Sequence, residues 1–196
     1  HLGVSTQVPN DHALVQHRVD TVPFDIAVLT NLTQDHLDYH KSMGNYVAAK
    51  AKLFAWPSLQ YIVMNQDDPS ANVLTRHVLR SAKCDKPKKI TYAQKSQSDI
   101  HILSTEQNAL AQLIQLKTPQ GQFKTTLNLL GEFNVDNVMA VASVLHALSF
   151  SNEDMATVLP KLKPVKGRLE MHTQTGRATA VIDYAHTPDA LEKALT

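Results

Sequence analysis

Two carboxylates and two imidazoles stand close together in the stretch Asp35-His36-Leu37-Asp38-Tyr39-His40. The stretch follows an apolar run that predicts a buried strand, and loops at the carboxyl ends of parallel strands are where α/β proteins bind ligands. Such oxygen and nitrogen donors can hold a divalent cation or organise phosphates. The same residue types also cap turns and lie at surfaces, so spacing alone leaves both interpretations open.

Two further clusters carry side chains suited to a nucleotide. The stretch from Gly131 to Asn137 begins a helix, and its asparagine amides either cap that helix or read a purine edge. Arg168 follows a stretch rich in proline and lysine, where a guanidinium could pair with phosphate oxygens. Asp183 ends an apolar run, which predicts a buried strand, and a carboxylate there could accept hydrogen bonds from ribose hydroxyls. A salt-bridged turn and an ordinary cap explain the last two residues equally well.

The elements that must position these clusters follow from the hydrophobic pattern. Short apolar runs alternate with helix-favouring stretches in the first part of the chain, and this order is typical of a parallel α/β sheet. The runs predict strands at 25–30 and 61–65 and helices at 45–55 and 70–80. Lys50 lies in the first of these helices, and composition alone predicts a solvated lysine there.

The second part of the chain has a different pattern. Pro119-Gln120-Gly121 lies between two runs of alternating polarity, which predicts an antiparallel hairpin. Helical spacing returns at Asn134. The remaining expectations are strands at 89–93, 99–104, 168–173 and 178–183, a helix at 152–159, a linker at 160–167 and a helix starting at Thr187.

Composition excludes several classes of protein. The 196 residues are 43% apolar, which is too much for a disordered segment, and the net charge of +1 argues against sequence-independent nucleic-acid binding. No apolar run is long enough to span a membrane. The single cysteine excludes an internal disulfide framework, and with no signal peptide at the start it predicts a cytoplasmic protein.

Taken in order, four segments resemble the Mur ligases, the ATP-dependent amide-forming enzymes of peptidoglycan precursor synthesis. The resemblance extends from about Asp11 onward. The matching segments are Thr30 to His40 with Tyr46-Val47-Ala48-Ala49-Lys50, Gly131 to Asn137, Gly167-Arg168-Leu169-Glu170, and Asp183 to Leu191. Within the family, the forms His36-Leu37-Asp38-Tyr39-His40 and Asp183 to Leu191 resemble the type that adds the third amino acid to UDP-N-acetylmuramoyl-L-alanyl-D-glutamate.

The resemblance implies an α/β fold. Residues 1–165 would be the carboxyl-terminal portion of the parallel-sheet central ATPase domain, without its P-loop segment and with an antiparallel β subregion. Residues 166–196 would begin a Rossmann-like C-terminal domain. The implied partners are UDP-N-acetylmuramoyl-L-alanyl-D-glutamate and an amino acid, with diaminopimelate expected; nucleic acid and membrane insertion are not expected.

The resemblance also implies roles for individual residues. Lys50, carbamylated, and His36 would hold magnesium, and both would serve catalysis. ATP would be bound at Asn134 and Asn137 on the adenine side and at Arg168 and Asp183 on its phosphates and ribose. The UDP-linked substrate would be contacted by Asn10, Gln16 and Arg18. The implied reaction passes through an acyl phosphate on the terminal carboxylate of the D-glutamyl residue.

Three departures from the family pattern modify these expectations. The sequence contains no GxxxxGK[ST] loop, a match to the family's magnesium-binding glutamate places Val8 there, and the chain ends at Thr196. An internal fragment or a degraded copy that does not turn over alone is therefore expected. The alternatives are a non-catalytic nucleotide- or precursor-binding relic and a ligase similar to folylpolyglutamate synthase.

Overall fold

The computed structural model describes residues 14, 18–32, 43–81, 87–107, 111–186 and 191–192. The chain divides into two compact units. Unit 1 comprises the described residues of 1–101 and 139–150, and unit 2 those of 102–138 and 151–196. The division into domains at residue 165 stays a prediction.

Unit 1 is built on parallel strands that alternate with helices. Strand β1 (Ile26–Leu29) pairs in parallel with β2 (Tyr61–Asn65), and β2 with β3 (Lys88–Ala93). The end of β3 pairs in parallel with the start of β4 (Ile100–Gln107). All four residues of β1 are buried, as expected for a parallel strand covered on both faces. The predicted parallel α/β arrangement is confirmed.

Two helices of unit 1 follow from local sequence signals. Helix α1 (Met43–Phe54) ends just before Trp56-Pro57, since the residue before a proline avoids the helical region. Helix α2 (Ser70–Ser81) begins where an Asp68 carboxylate oxygen accepts the Ser70 N–H, 2.8 Å away. The core of unit 1 is an apolar cluster of Leu14, Phe24, Ala27, Leu29, Ala51, Leu53, Phe54, Leu59, Ile62, Met64, Ala71 and Leu74.

Unit 2 contains the predicted antiparallel hairpin. Strands β5 (Gln112–Thr118) and β6 (Gly121–Leu127) pair from Gln112 opposite Leu127 to Thr118 opposite Gly121. Every second residue of β5 is buried, because side chains alternate between the two faces of a strand. The face with Gln112, Ile114, Leu116 and Thr118 therefore packs inward.

Two helices follow the hairpin. Helix α3 (Glu132–Ala147) begins in unit 2 and ends in unit 1. Helix α4 (Asn152–Val158) begins with a capping box, in which Ser151 and Asp154 each accept a hydrogen bond from the other's backbone N–H. A short 3-10 helix, Leu159–Lys161, follows it. The buried apolar residues of unit 2 are Ile114, Leu116, Leu127, Leu129, Val135, Val138, Met155, Leu159 and Leu169.

The last strands, β7 (Glu170–His172) and β8 (Ala180–Ile182), form a separate antiparallel pair. The expectation of a buried strand before Asp183 is wrong, because Val181 and Ile182 are 48% and 51% exposed. An apolar run predicts a strand, but it does not identify what covers that strand. Within the described residues, no helix is both long and apolar enough to cross a membrane.

Candidate functional site

The start of α3 places two of the predicted asparagines one helical turn apart. Gly131, with φ of +85°, turns the chain, and its carbonyl accepts the Asn134 N–H at 3.1 Å. The Asn134 side-chain amide donates to the carbonyl of Leu130 at 2.6 Å. The Asn137 amide in turn donates to Asn134 Oδ1 at 3.3 Å. The half-buried Asn134 is thus committed to the turn, while the exposed Asn137 retains a carbonyl oxygen that accepts no hydrogen bond from the described residues.

The β7–β8 pair places Arg168 and Asp183 side by side in unit 2. The half-buried Asp183 carboxylate accepts the backbone N–H groups of Leu169, at 2.9 Å, and Ala185, at 2.7 Å. A carboxylate has about four acceptor positions, so this one keeps capacity for hydroxyl donors. The guanidinium of the exposed Arg168 stacks over the Tyr184 ring, 5.1 Å from its centroid. Arg168 precedes β7 and Asp183 follows β8, so the cation and the acceptor come from two adjoining segments of the chain.

Leu169 connects this turn to the start of α3. Its side chain is buried against Gly131, since a Cβ built on Gly131 would lie 2.8 Å from Leu169 Cδ1. Its backbone is left-handed, with φ of +43°, and is held by the hydrogen bond to Asp183. The structure thus brings the asparagine turn and the Arg168 turn together within unit 2.

In unit 1, polar side chains at the carboxyl end of β2 hold the loop that follows β1. The buried Asn65 donates its amide to the carbonyl of Thr30 at 2.9 Å. A carboxylate oxygen of Asp68 accepts the Leu32 N–H at 2.9 Å. These bonds fix the direction in which the chain leaves the strand toward residue 33.

Asp67 joins the same edge to the loop that follows β3. Its carboxylate accepts the backbone N–H groups of Gln94 at 2.7 Å, Lys95 at 3.0 Å and Ser96 at 3.0 Å. Partial burial raises the pKa of Asp67, but hydrogen bonds from Lys95, Ser96 and Gln94 lower it more, and the net pKa lies below its ordinary value. Asp67 is therefore a carboxylate at neutral pH.

The remaining predicted site residues are placed only in part. Lys50 is half-buried on α1, between the buried Ala49 and Ala51, and Arg18 is exposed in a turn. The predictions for Asn10, Gln16 and His36 fall outside the described residues. Among the described residues, no three His, Cys, Asp or Glu side chains are grouped to hold a metal ion. A protonated lysine has no lone pair to offer a cation, so Lys50 would fit a metal only after it loses a proton or is modified.

A surface cavity of about 430 Å³ lies at the opposite edge of the unit 1 strands. Its lining, Asp20 to Pro23 and Trp56 to Ser58, precedes β1 and β2, whereas the polar loops follow those strands. Ligands of open α/β sheets bind outside the carboxyl ends of the strands. Within unit 1, the cavity is therefore at the end of the strands away from the polar loops.

Sequence reasoning missed two sets of positioning residues. Asn65 is predicted only as the last residue of a strand, and Asp67 and Asp68 only as part of the turn that follows it. Polar residues at the end of a parallel strand are nevertheless a signal of loop positioning. Sequence reasoning also missed Gln112, which shares the inward face of β5 with Ile114 and Leu116. A polar residue at an apolar position of an alternating strand is the signal that could have found it.

Parallel strands that alternate with helices, with polar loops at the carboxyl ends of the strands, define an α/β protein, and unit 2 adds a cluster of polar side chains at two neighbouring turns. The family model of the Mur ligase middle domain matches residues 10–145. The chain belongs to the Mur ligase family.

Individual relatives agree with this assignment. The chain is 42% identical over 194 residues to the UDP-N-acetylmuramoyl-L-alanyl-D-glutamate–2,6-diaminopimelate ligase of Xanthomonas campestris pv. campestris, covering 95% of the chain and 37% of that protein. A solved structure of a ligase of the same name matches with a TM-score of 0.83 and 34% identity, over 95% of this chain and 38% of that one.

A MurF ligase from Thermotoga maritima, solved in complex with ADP, shares the fold. It matches with a TM-score of 0.73 at 20% identity, over 92% of this chain and 40% of that one. The chain thus spans well under half the length of the relatives it matches.

Proposed function

We propose that this chain is the central part of a ligase that uses ATP to join diaminopimelate to UDP-N-acetylmuramoyl-L-alanyl-D-glutamate. The observation that carries the proposal is 42% identity, over 95% of the chain, to a ligase named for that reaction. The chain covers 37% of that relative. We therefore propose that the chain supplies part of the active site of a cytoplasmic enzyme. We expect no turnover by the 196 residues alone.

The share assigned to unit 2 is the adenosine and phosphate side of ATP. The carbonyl oxygen of Asn137 suits the exocyclic amine of adenine, and the Asp183 carboxylate suits ribose hydroxyls. The exposed guanidinium of Arg168 suits a phosphate, which it can bind bidentately. The Leu169 contact with Gly131 supports a single site, because it holds the two turns together.

The function assigned to unit 1 is the binding of magnesium. Lys50, as a carbamate, and His36 would hold the ion, whose charge offsets the repulsion between the ATP phosphates and the substrate carboxylate. The half-buried position of Lys50 on α1, between the buried Ala49 and Ala51, supports this role because it limits the mobility of the lysine side chain. Arg18, with Asn10 and Gln16, would contact the UDP-linked substrate.

The proposed chemistry proceeds in two steps. An oxygen of the D-glutamyl carboxylate attacks the γ-phosphorus of ATP, and ADP leaves. The amine of diaminopimelate then attacks the acyl carbon and loses a proton, and phosphate leaves. Arg168 stabilises the negative charge of the phosphates during the first step, as positioned cations do in phosphoryl transfer.

Titration of the isotope-labelled chain with Mg-ATP, followed by amide NMR shifts, tests the binding share. We expect shifts at Asn134, Asn137 and Ala185. Arg168→Ala is expected to weaken ATP binding about tenfold or more, because hydrogen bonds to charged groups contribute about 1.5–3 kcal/mol. Arg177→Ala, an exposed arginine in the β7–β8 turn, is the matched control and leaves binding unchanged.

The catalytic share is tested in the longest natural protein that contains this chain, supplied with all three substrates. Lys50→Ala abolishes ligation there, whereas Lys52→Ala, an exposed lysine on the same helix, does not. Intact mass should show one carbon dioxide added at Lys50. ATP binding without ligation in that protein would favour the non-catalytic alternative, and normal ligation by the Lys50 variant would refute the proposal.

A further inference from the structure

The structure assigns Gln112 as a positioning residue for the nucleotide side of the site. Gln112 lies in none of the four segments that carry the family resemblance. It is 3% exposed, and its side chain reaches the turn that carries Asn134. This inference rests on the proposed function, since it concerns how tightly that turn binds ATP.

The carboxamide of Gln112 continues the hairpin beyond its last backbone pair. Gln112 is the first residue of β5 and stands opposite Leu127, the last residue of β6. Its Nε2 donates to the carbonyls of Leu129, at 3.0 Å, and Gly131, at 3.4 Å. The buried Gln112 amide therefore binds two carbonyls in the segment that follows β6, beyond the last pair of the β5–β6 hairpin.

The Gly131 carbonyl links this amide to the asparagines. It also accepts the Asn134 N–H, so Gln112 and the first turn of α3 share one acceptor. Asn134 in turn accepts from the Asn137 amide. Loss of the Gln112 donor allows the turn to adopt other conformations. The apparent dissociation constant for ATP then rises, because a smaller fraction of the molecules has the turn in the conformation that binds ATP.

The test compares the same substitution at two glutamines of β5. Gln112→Met keeps the length of the side chain and removes its donor. Gln115→Met is the matched control, because in the described part of the chain the Gln115 amide donates across the hairpin to Gln122 and not to the turn before α3. We expect Gln112→Met to weaken Mg-ATP binding about tenfold at a temperature where both variants are folded, if the competent fraction drops to about a tenth. Gln115→Met should bind ATP as the wild type does.

A second variant separates positioning from a purely structural role. Gln112→Glu places a carboxylate against two carbonyl oxygens, and that repulsion should raise its pKa. Once protonated, the carboxyl group donates one hydrogen bond again. The ratio of ATP affinities, variant to wild type, should therefore rise as the pH is lowered. A structural role alone predicts a lower unfolding temperature with a constant ratio.

The outcomes are distinct. Wild-type binding with shifts at Asn134 and Asn137, together with equal affinity in Gln112→Met, overturns this inference and leaves the proposed function standing. Absence of those shifts in the wild type overturns both. Failure of both Gln112 variants to fold also overturns the inference, because a positioning residue leaves the fold intact.

Discussion

The strands of unit 1 and the β7–β8 pair of unit 2 both present an aspartate just past a strand, but they are stabilised differently. Asp67 follows β2, whose residues Ile62 to Met64 are buried, and Asp183 follows β8, whose residues are exposed. Both carboxylates accept backbone N–H groups from neighbouring loops. The comparison shows that a carboxylate that accepts backbone N–H groups can follow a strand buried in an apolar core or a strand that is exposed. In the second case, hydrogen bonds rather than apolar packing hold the local structure.

The largest expected difference comes from matched valine substitutions. Val63 on β2 is 0% exposed, and Val181 on β8 is 48% exposed. Val63→Ala should lower the free energy of unfolding by about 2–3 kcal/mol, from lost burial and the cavity left behind. Val181→Ala should change it by less than about 0.5 kcal/mol. Urea unfolding followed by circular dichroism measures both, and equal losses would contradict the comparison.

Matched glycine substitutions test the contact between the two turns of the site. Gly131 and Gly176 both have positive φ, but a Cβ on Gly131 would crowd Leu169 and Phe133, whereas a Cβ on Gly176 would contact nothing within 4 Å. Gly176→Ala should cost about 1 kcal/mol from backbone strain alone. Gly131→Ala should cost about 1 kcal/mol more, because two side chains must move. Equal decreases in the unfolding temperature of the two variants would contradict this prediction, because they would show that the Leu169 side chain can move aside without loss of stability.

The smallest effect concerns the two aspartates, and at Asp67 it depends on pH. The pKa of Asp67 is lower in the folded chain than in the unfolded chain. The ionised carboxylate therefore contributes its full share of folding stability above the pKa of the unfolded chain, and this stability is lost as the pH falls through the pKa of the folded chain. Asp67→Asn should lower stability at pH 7 by about 1 kcal/mol, a value reduced for solvent screening, with the difference vanishing in acid. Asp183→Asn should lower it less, since β7 and β8 lie outside the main cores. A difference for Asp67→Asn that persists at low pH would contradict the assignment.

Much of unit 1 could be predicted from the sequence because its strands are short apolar runs between clear turn signals. The strand expected at 61–65 is observed at Tyr61–Asn65, and the helix expected at 70–80 at Ser70–Ser81. The hairpin around Pro119-Gln120-Gly121 also follows from local turn chemistry. These features depend on residues that are neighbours in the chain.

The features that could not be predicted depend on partners distant in sequence. The exposure of β8 depends on what packs against it, which its own residues do not encode. Gln112 acts on carbonyls 17 and 19 residues away, so no local motif marks it. The grouping of Asn134 with Arg168 and Asp183 came from the family resemblance, and Leu169, which joins them, carries no polar group that would have singled it out.

The left-handed backbone of Leu169 makes the site sensitive to its own assembly. A leucine in this conformation is disfavoured by about 1–2 kcal/mol, and here the Asp183 hydrogen bond and the packing against Gly131 offset that cost. Loss of either contact should favour a relaxed backbone at Leu169, and a change in backbone dihedrals there would alter the direction of the preceding residue, Arg168. A residue without a charge or a hydrogen-bonding side chain can thus influence how the Arg168 guanidinium is oriented.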